Sequence, residues 1–311
     1  MILELKTGSN DAGRRLDRIL RKALPEHSLS LIHRLLRQGK VLVNEKTAKQ
    51  DDRIPGDSVI KIKLNETVNH SKLLVNNNSY STREMPEILW QESGIMVLNK
   101  PPGIAAHGKD SLDEIVNGYL SGKLPRSVSF RPGPLHRLDK GTSGAIAFSL
   151  TLEGARHFSR LLQERKIRKT YLAVVEGQII KEAQWKNELA RDKKMQKTLI
   201  LDGKSTDKAK TAITSVKAVA YDNGYTLIEA RIETGRTHQI RAQAAANGAP
   251  LAGDVKYGGR PVSGSSGRDG FFLHAWKMEF EGNLITAPPP ESFVSLVSAL
   301  FGQKAKGKIT R

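Results

Sequence analysis

The sequence predicts an α+β protein: a small module of helices and short strands, followed by a larger domain with a mixed, mainly antiparallel sheet. Three observations carry this. The chain has 311 residues, enough for about two domains. A stretch rich in Asn, Ser and Thr at 65–85 breaks the hydrophobic pattern and reads as a linker. Beyond it, strand-like runs outnumber helical ones and follow closely along the chain, which favours antiparallel pairing. The expected division is 1–64, a linker at 65–85, a domain at 86–300 and a basic tail at 301–311.

In the first module, RRLDRILRKA places Leu16, Ile19 and Leu20 at helical spacing, with Arg14, Arg15, Arg18, Arg21 and Lys22 on the remaining surface, and Pro25 stops the helix. SLSLIHRLLRQG reads as a second helix. Ser28 or Ser30 caps it, Ile32, Leu35 and Leu36 face inward, and Gly39 ends it. Two strand-like runs, 41–43 and 59–64, are joined through the turn-rich DDRIPGD. In the second domain strands are expected at 95–98, 145–150, 171–175, 211–219 and 225–232, and helices at 152–164, 237–246 and 293–300. The 225–232 run alternates, with Leu227, Glu229 and Arg231 against Ile228, Ala230 and Ile232. The terminal GQKAKGKITR, basic and without acids, reads as a flexible arm.

Lys and Arg number 50 against 32 Asp and Glu, a net charge of +18. Solubility alone needs only about 2–8 in a small domain, so a polyanionic partner is expected. A membrane surface would require a basic amphipathic helix with bulky apolar residues opposite, and none is found. With no apolar leader, no membrane-length stretch and no cysteine, the sequence suggests a cytoplasmic protein, monomeric by default.

Three glycine-punctuated polar segments between strands are candidate sites. In Leu135-HRLDKGTSG, Asp139 lies between Arg137 and Lys140, and flanking cations favour an ionised carboxylate able to act as nucleophile or base. In KTYLAVVEG, Tyr171 offers a ring to stack on a base and a hydroxyl to move a proton. In ETGRTHQIR, Gly235 turns the chain and Thr237 caps a helix whose first turns carry Arg241, within reach of a carboxylate; Arg236 is the second candidate for that pairing. Taken singly, these residues would shape a turn, pack at a strand edge and start a surface helix.

Other classes fit less well. Gly203-Lys204-Ser205 lacks the earlier glycine of a P-loop, since position 198 is Thr. The eight histidines show no i, i+4 helical pair. A glycoside hydrolase needs partnered carboxylates, and Glu233 is the nearest other acid by motif. A non-enzymatic RNA binder would share the charge but would not need Asp139, Tyr171 and Arg241 together.

The first module resembles the S4 RNA-binding domain through Arg15-Leu16-Asp17, the run from Ser30 to Val41, Val43-Asn44 and Pro55-Gly56-Asp57. That resemblance implies RNA contacts from Arg15, Arg18, Arg34, Arg37 and Lys40. The remainder resembles the RluA-type pseudouridine synthases, most of all the RluC subgroup. It does so through Leu98-Asn99-Lys100-Pro101-Pro102-Gly103 with His107, HRLDKGTSG, KTYLAVVEG, IETGRTHQIR, Gly253-Asp254 with Lys256-Tyr257-Gly258, and Phe272-Leu273-His274-Ala275.

The resemblance implies isomerisation of uridine to pseudouridine in structured RNA, without metal or organic cofactor. Large-subunit ribosomal RNA is the implied substrate, with transfer RNA the alternative. It makes Asp139 the catalytic carboxylate, Tyr171 a uracil-packing residue linked to proton removal, and Arg241 the partner of Asp139. Ile240 would line the base pocket and Arg137 would displace the base from its stack. His136 and Arg236 complete the implied substrate-binding set, and Lys100, Pro101 and His107 would support the active-site loop. One departure stands out: Ala242-Gln243 occupies the place where the family commonly has a small residue and His.

Overall fold

The computed structural model describes residues 2–64, 83–180, 182–192, 194–201, 209–263 and 270–310. The expected linker, apart from its last three residues, lies outside the described residues. So do Gly203-Lys204-Ser205 and most of the 261–270 loop.

The N-terminal module contains β1 (Ile2–Lys6), β2 (Arg14–Arg15), α1 (Leu16–Ala23), α2 (Leu29–Arg37), β3 (Val41–Val43), β4 (Lys46–Thr47), β5 (Arg53–Ile54) and β6 (Val59–Lys63). The periodic Leu16, Ile19 and Leu20 are buried against Ile32, Leu35 and Leu36, as the helical spacing requires. Of the two candidate caps it is Ser28 that acts, its Oγ accepting from Leu31 N at 3.2 Å. Arg14 and Arg15 do not open the helix; they pair as β2 with β5. A sheet ordered β1-β6-β3-β4 closes the module.

The rest of the chain adds β7 (Ile88–Glu92), β8 (Ile95–Lys100), α3 (Leu112–Leu120), β9 (Gly133–Pro134), β10 (Ser143–Ser149), α4 (Leu152–Gln163), β11 (Arg168–Glu176), β12 (Ala183–Asp192), β13 (Lys197–Ile200), β14 (Lys210–Asp222), β15 (Tyr225–Ile232), α5 (Gln239–Ala246), β16 (Leu273–Phe280), β17 (Asn283–Thr286) and α6 (Glu291–Ile309). One sheet runs β13-β12-β14-β15-β11-β16-β10-β8-β7, with β17 on β16 and β9 on β10. Among these pairs only β10–β16 is parallel, so the protein is α+β with the mainly antiparallel mixed sheet that the strand-rich pattern implies.

Period-two alternation sorts this sheet into two buried faces. Met96, Leu98, Ile146, Phe148, Tyr171, Ala173, Ile228 and Ala230 share one core with α3 and α5. On the other face Ile95, Val97, Ala145 and Ala147 pack under α4, and Leu172, Val174 and Leu227 under α6. The terminal segment differs from the expected flexible arm. It continues α6 to Ile309 past a break at Gly302 (φ 75°), because Ala305 and Ile309, one helical turn apart, bury themselves at 3% and 1% exposure.

A buried junction joins the module to this sheet domain. The Asp11 carboxylate accepts from Ser127 Oγ (2.7 Å), Val128 N (2.9 Å), Ser129 N (2.8 Å), Ser129 Oγ (2.5 Å) and Gly8 N (3.0 Å). Arg14 Nη1 donates to the Ser129 carbonyl at 2.8 Å, and Leu152 N donates to Asn10 Oδ1 at 3.0 Å. Val128 packs on the module's core. Position 8 must be glycine here, since a side chain would overlap the Arg126 carbonyl oxygen.

Candidate active site

Asp139 lies in the turn between β9 and β10, where its carbonyl accepts from Thr142 N at 3.0 Å. Three contacts fix that turn. Gly144, at φ 107°, lies so close to β16 that a side chain would overlap the Ala275 carbonyl. His274 donates from Nε2 to the Ala287 carbonyl (2.9 Å), which leaves Nδ1 to accept from the Ser143 hydroxyl (2.9 Å). Lys100, fully buried, reaches the carbonyls of Pro101 (2.9 Å), Ile104 (2.8 Å) and Lys140 (3.3 Å) and so ties the loop after β8 to the Asp139 turn. Burial lowers the pKa of Lys100 to about 7, with the charge of Asp139 opposing.

The carboxylate faces a cleft lined by Arg137, Leu138, Thr142, Tyr171, Ile232, Arg236, His238, Gln239, Ile240, Arg241 and Leu273. Tyr171 does not open a strand; it is the fourth residue of β11. Its cross-strand neighbours are Ala230 and Ala275, small enough to leave the ring room. The β11–β16 ladder slips at Thr170/Tyr171, passing over Trp276, and bulges of this kind re-aim side chains beside active sites. Burial, and then the Asp139 charge, raise the Tyr171 pKa above the ordinary phenol value. The hydroxyl keeps its proton at neutral pH.

The loop before α5 is held by Gln239. Its Oε1 accepts from Thr234 Oγ1 (2.8 Å) and Arg236 N (3.0 Å), and its Nε2 donates to Ile213 O (3.0 Å) and Thr214 Oγ1 (2.9 Å). The cap of α5 is His238 in the left-handed region (φ 52°), not Thr237, and Gly235 has no left-handed backbone. A histidine at positive φ stores local strain of the kind found at functional sites. It brings Nε2 to 3.8 Å from Asp139 Oδ2, while Nδ1 meets the Tyr257 hydroxyl at 2.8 Å. Burial lowers its pKa to about 4; Asp139 opposes this, and Arg241, Arg191 and Lys256 add to it. The imidazole is neutral at pH 7.

Arg241 projects from α5 with its side chain almost buried. Its Nε and Nη2 fork onto Asp254 at 2.7 and 2.8 Å, and its Nη1 reaches Asp139 Oδ2 at 3.4 Å. Among the described residues no hydrogen-bond donor engages Asp139 Oδ1, so that oxygen is open to the cleft.

The structure thus brings together Asp139, Tyr171, Arg241, Ile240, Arg137 and Arg236 around one cleft. Arg236 lies on the rim and donates to Thr211 O at 3.1 Å instead of to Asp139. His136 does not join them. Its Nε2 accepts from Ala147 N at 3.0 Å and its ring stacks on Phe158, while burial and then Lys169 lower its pKa to about 3; packing claims this residue in place of substrate. Gln243 points away from the cleft. It accepts from Thr214 Oγ1 (2.7 Å) and donates to Trp185 O and Asn187 Oδ1 (both 2.9 Å), so the missing imidazole at this position takes nothing from the cleft. Taken segment by segment, the sequence does not single out His238, Gln239, Asp254 or Tyr257 for roles. The only signal available was their membership of the GRTHQIR and Gly253–Gly258 blocks.

The RNA pseudouridylate synthase family matches residues 94–246, and the S4 domain matches residues 14–60. The chain is 30% identical to ribosomal large subunit pseudouridine synthase D of Neisseria meningitidis serogroup A, covering 93% of this chain and 79% of that protein. It is also 30% identical to ribosomal large subunit pseudouridine synthase C of Haemophilus ducreyi, over 95% and 94% of the two chains. The chain belongs to the RluA-type pseudouridine synthases. It is an isomerase with an N-terminal S4 domain. A solved structure, human RNA pseudouridylate synthase domain containing 4, shares the fold with a TM-score of 0.57 at 20% identity, over 68% of this chain and 91% of that one.

In the synthase's S4 domain, Arg34 and Arg37 fall in the last turn of α2 and, like Arg18, are exposed; Lys40 follows three residues later. Arg15 differs, since its guanidinium forks onto Asp17 at 3.2 and 2.9 Å. Among the described residues no helix is long and apolar enough to cross a membrane.

Proposed function

We propose that this synthase isomerises specific uridines of large-subunit ribosomal RNA, with Asp139 as the catalytic carboxylate. The observation that carries the reading is the Asp139 carboxylate in the cleft wall, one oxygen oriented by Arg241 and the other open, opposite Tyr171 and Ile240. A flipped uridine places its ring against Tyr171 and Ile240, with Arg137 at the cleft mouth filling the vacated stack. Asp139 attacks the nucleotide or promotes loss of the base from C1′. The N1–C1′ bond breaks, the retained uracil turns, C5 bonds to C1′, and the proton leaving C5 is balanced by one gained at N1. Arg241 stabilises the carboxylate through the cycle.

The S4 domain, expected within 1–64, holds the RNA through Arg18, Arg34, Arg37 and Lys40, with catalysis assigned to 86–300. The named activities of the two bacterial relatives support ribosomal RNA. The test is pseudouridine mapping of ribosomal and transfer RNA in cells with the gene intact, deleted, or carrying Asp139→Ala. Sites lost from large-subunit RNA in both altered strains are expected. Loss confined to transfer RNA would change the substrate, and sites that persist with Asp139→Ala would move the chemistry to another residue.

A further inference from the structure

Behind the cleft lies the turn from Asp254 to Gly258, which contributes no residue to the cleft lining. The Asp254 side chain is 1% exposed, and its carboxylate takes Nε and Nη2 of Arg241 in a bidentate fork shorter than the Arg241–Asp139 contact, 2.7 and 2.8 Å against 3.4 Å. A planar guanidinium held at two nitrogens has its third direction fixed, and here that direction is toward Asp139. The rings of Phe271 and Tyr257 lie 4.1 and 4.9 Å from the guanidinium carbon and restrict it further. The turn itself is tied down, since the Asp254 carbonyl accepts from Tyr257 N and Gly259 N, both at 2.9 Å.

Tyr257 performs a parallel task for His238. Its oxygen accepts from Thr198 N at 2.8 Å, so its own proton is free to go to His238 Nδ1, also at 2.8 Å. A neutral imidazole that accepts at Nδ1 carries its proton on Nε2, the nitrogen 3.8 Å from Asp139 Oδ2. The two groups flanking the carboxylate, one cationic and one a neutral donor, are therefore both oriented from the same short turn.

We propose that Asp254 and Tyr257 are positioning residues for the isomerisation, Asp254 aiming Arg241 at Asp139 and Tyr257 setting the Nε2–H tautomer of His238 beside it. The proposal rests on Asp139 being the catalytic carboxylate.

The test measures tritium release from 5-tritiated uridine in ribosomal RNA taken from a deletion strain, using the full-length synthase. Misplacing a catalytic group by about 1 Å costs on the order of 100-fold in rate. Asp254→Asn is expected to lower kcat by about that much with KM within about twofold, because the interaction it supports matters in the transition state. Asp254→Glu should recover part of the loss. The Arg241→Ala, Asp254→Asn double variant should be no slower than Arg241→Ala alone. Nitrogen-15 NMR should show His238 protonated at Nε2 in the unaltered protein, and Nδ1-protonated imidazole should gain population in Tyr257→Phe. A full kcat in Asp254→Asn, a loss confined to KM, losses that add in the double variant, or an unchanged tautomer in Tyr257→Phe would overturn the assignment. If Asp254→Asn does not fold, Asp254→Glu and the Tyr257→Phe spectrum decide it. Asp139→Ala in the same assay separates the two levels: activity there sinks the catalytic reading itself, whereas a dead Asp139→Ala beside a fully active Asp254→Asn sinks only the positioning role.

Discussion

Two aspartates, Asp11 at the junction and Asp139 in the cleft, show how the same side chain is either saturated by the fold or left facing a cleft. Asp11 is fully buried and accepts five hydrogen bonds, all from neutral donors. Burial alone would raise its pKa, but the donors, Ser129 foremost, outweigh it and hold the carboxyl below the ordinary value. Asp139 has a side chain 15% exposed, one arginine nitrogen at 3.4 Å and one imidazole nitrogen at 3.8 Å on the same oxygen. A saturated carboxylate joins two parts of the chain; an unsaturated one, held by a single oriented cation, keeps an oxygen free for chemistry.

The largest effect should follow from removing the unsaturated one. Asp139→Asn preserves shape and is expected to lower turnover by about 10⁴-fold or more, while unfolding stability changes by less than about 1 kcal/mol. Tritium release and urea denaturation on the same preparation measure both. A stability loss as large as that of a junction variant would erase the distinction between the two sites.

Asp11→Ala should do the reverse. Five donors lose this acceptor inside the protein, Ser129 N alone keeping Ser127 Oγ at 3.3 Å, and at about 1 kcal/mol for each of the four left unmet the expected loss is about 4 kcal/mol. Turnover of the folded fraction should stay within a few-fold, with RNA affinity falling as the S4 domain loosens. Lost turnover in a folded Asp11→Ala protein would mean that the junction shapes the cleft as well.

Lys100 stands between these cases. It is as buried as Asp11, yet it grips the turn that carries Asp139 through the Lys140 carbonyl. Lys100→Met fills similar space but leaves the Pro101 and Ile104 carbonyls unmet, while the Lys140 carbonyl keeps Gly103 N at 2.8 Å, for an expected loss of about 2 kcal/mol together with a drop in turnover. Stability lost with turnover intact would show that the Asp139 turn holds its shape without this tie.

How legible these features were in the sequence depended on how locally they are encoded. The cleft draws on compact blocks, HRLDKGTSG and GRTHQIR, and the family resemblance that they carry implies the pairing of Asp139 with Arg241. The amphipathic spacing of Leu16, Ile19 and Leu20 likewise gave α1 away. Asp11 could not be found in this manner, because four of its five hydrogen bonds come from residues 116–118 positions further on and no pattern links the two segments. His238 was hidden by Gly235, which attracts the expectation of a turn although a histidine takes the left-handed backbone. His136 stands in the same block as Asp139, yet in the bend after β9 its ring accepts from Ala147 N and stacks on Phe158. The terminal helix was masked by lysines that surround its two buried anchors, Ala305 and Ile309.

The effect that separates the comparison by pH is acid destabilisation. His136 and His274 are held neutral, with pKa values lowered from 6.5 to about 3 and about 4; burial is the main cause in both. Between pH 6.5 and about 4 the unfolded chain binds protons that the folded protein refuses, so stability falls as pH falls through that window. Each imidazole contributes a slope on the order of 1 kcal/mol per pH unit there, and the histidine contribution is flat above about pH 7. Asp11 acts in the same direction but lower, since its lowered pKa makes its contribution disappear only below the ordinary carboxylate range. Urea denaturation of the unaltered protein and Asp11→Ala at pH 7, 6 and 5 should therefore give parallel declines, offset by the loss at the junction. Convergence of the two curves already at pH 5 would mean that the Asp11 carboxylate takes up its proton with the histidines, and that its five donors do not hold it as strongly as their geometry requires.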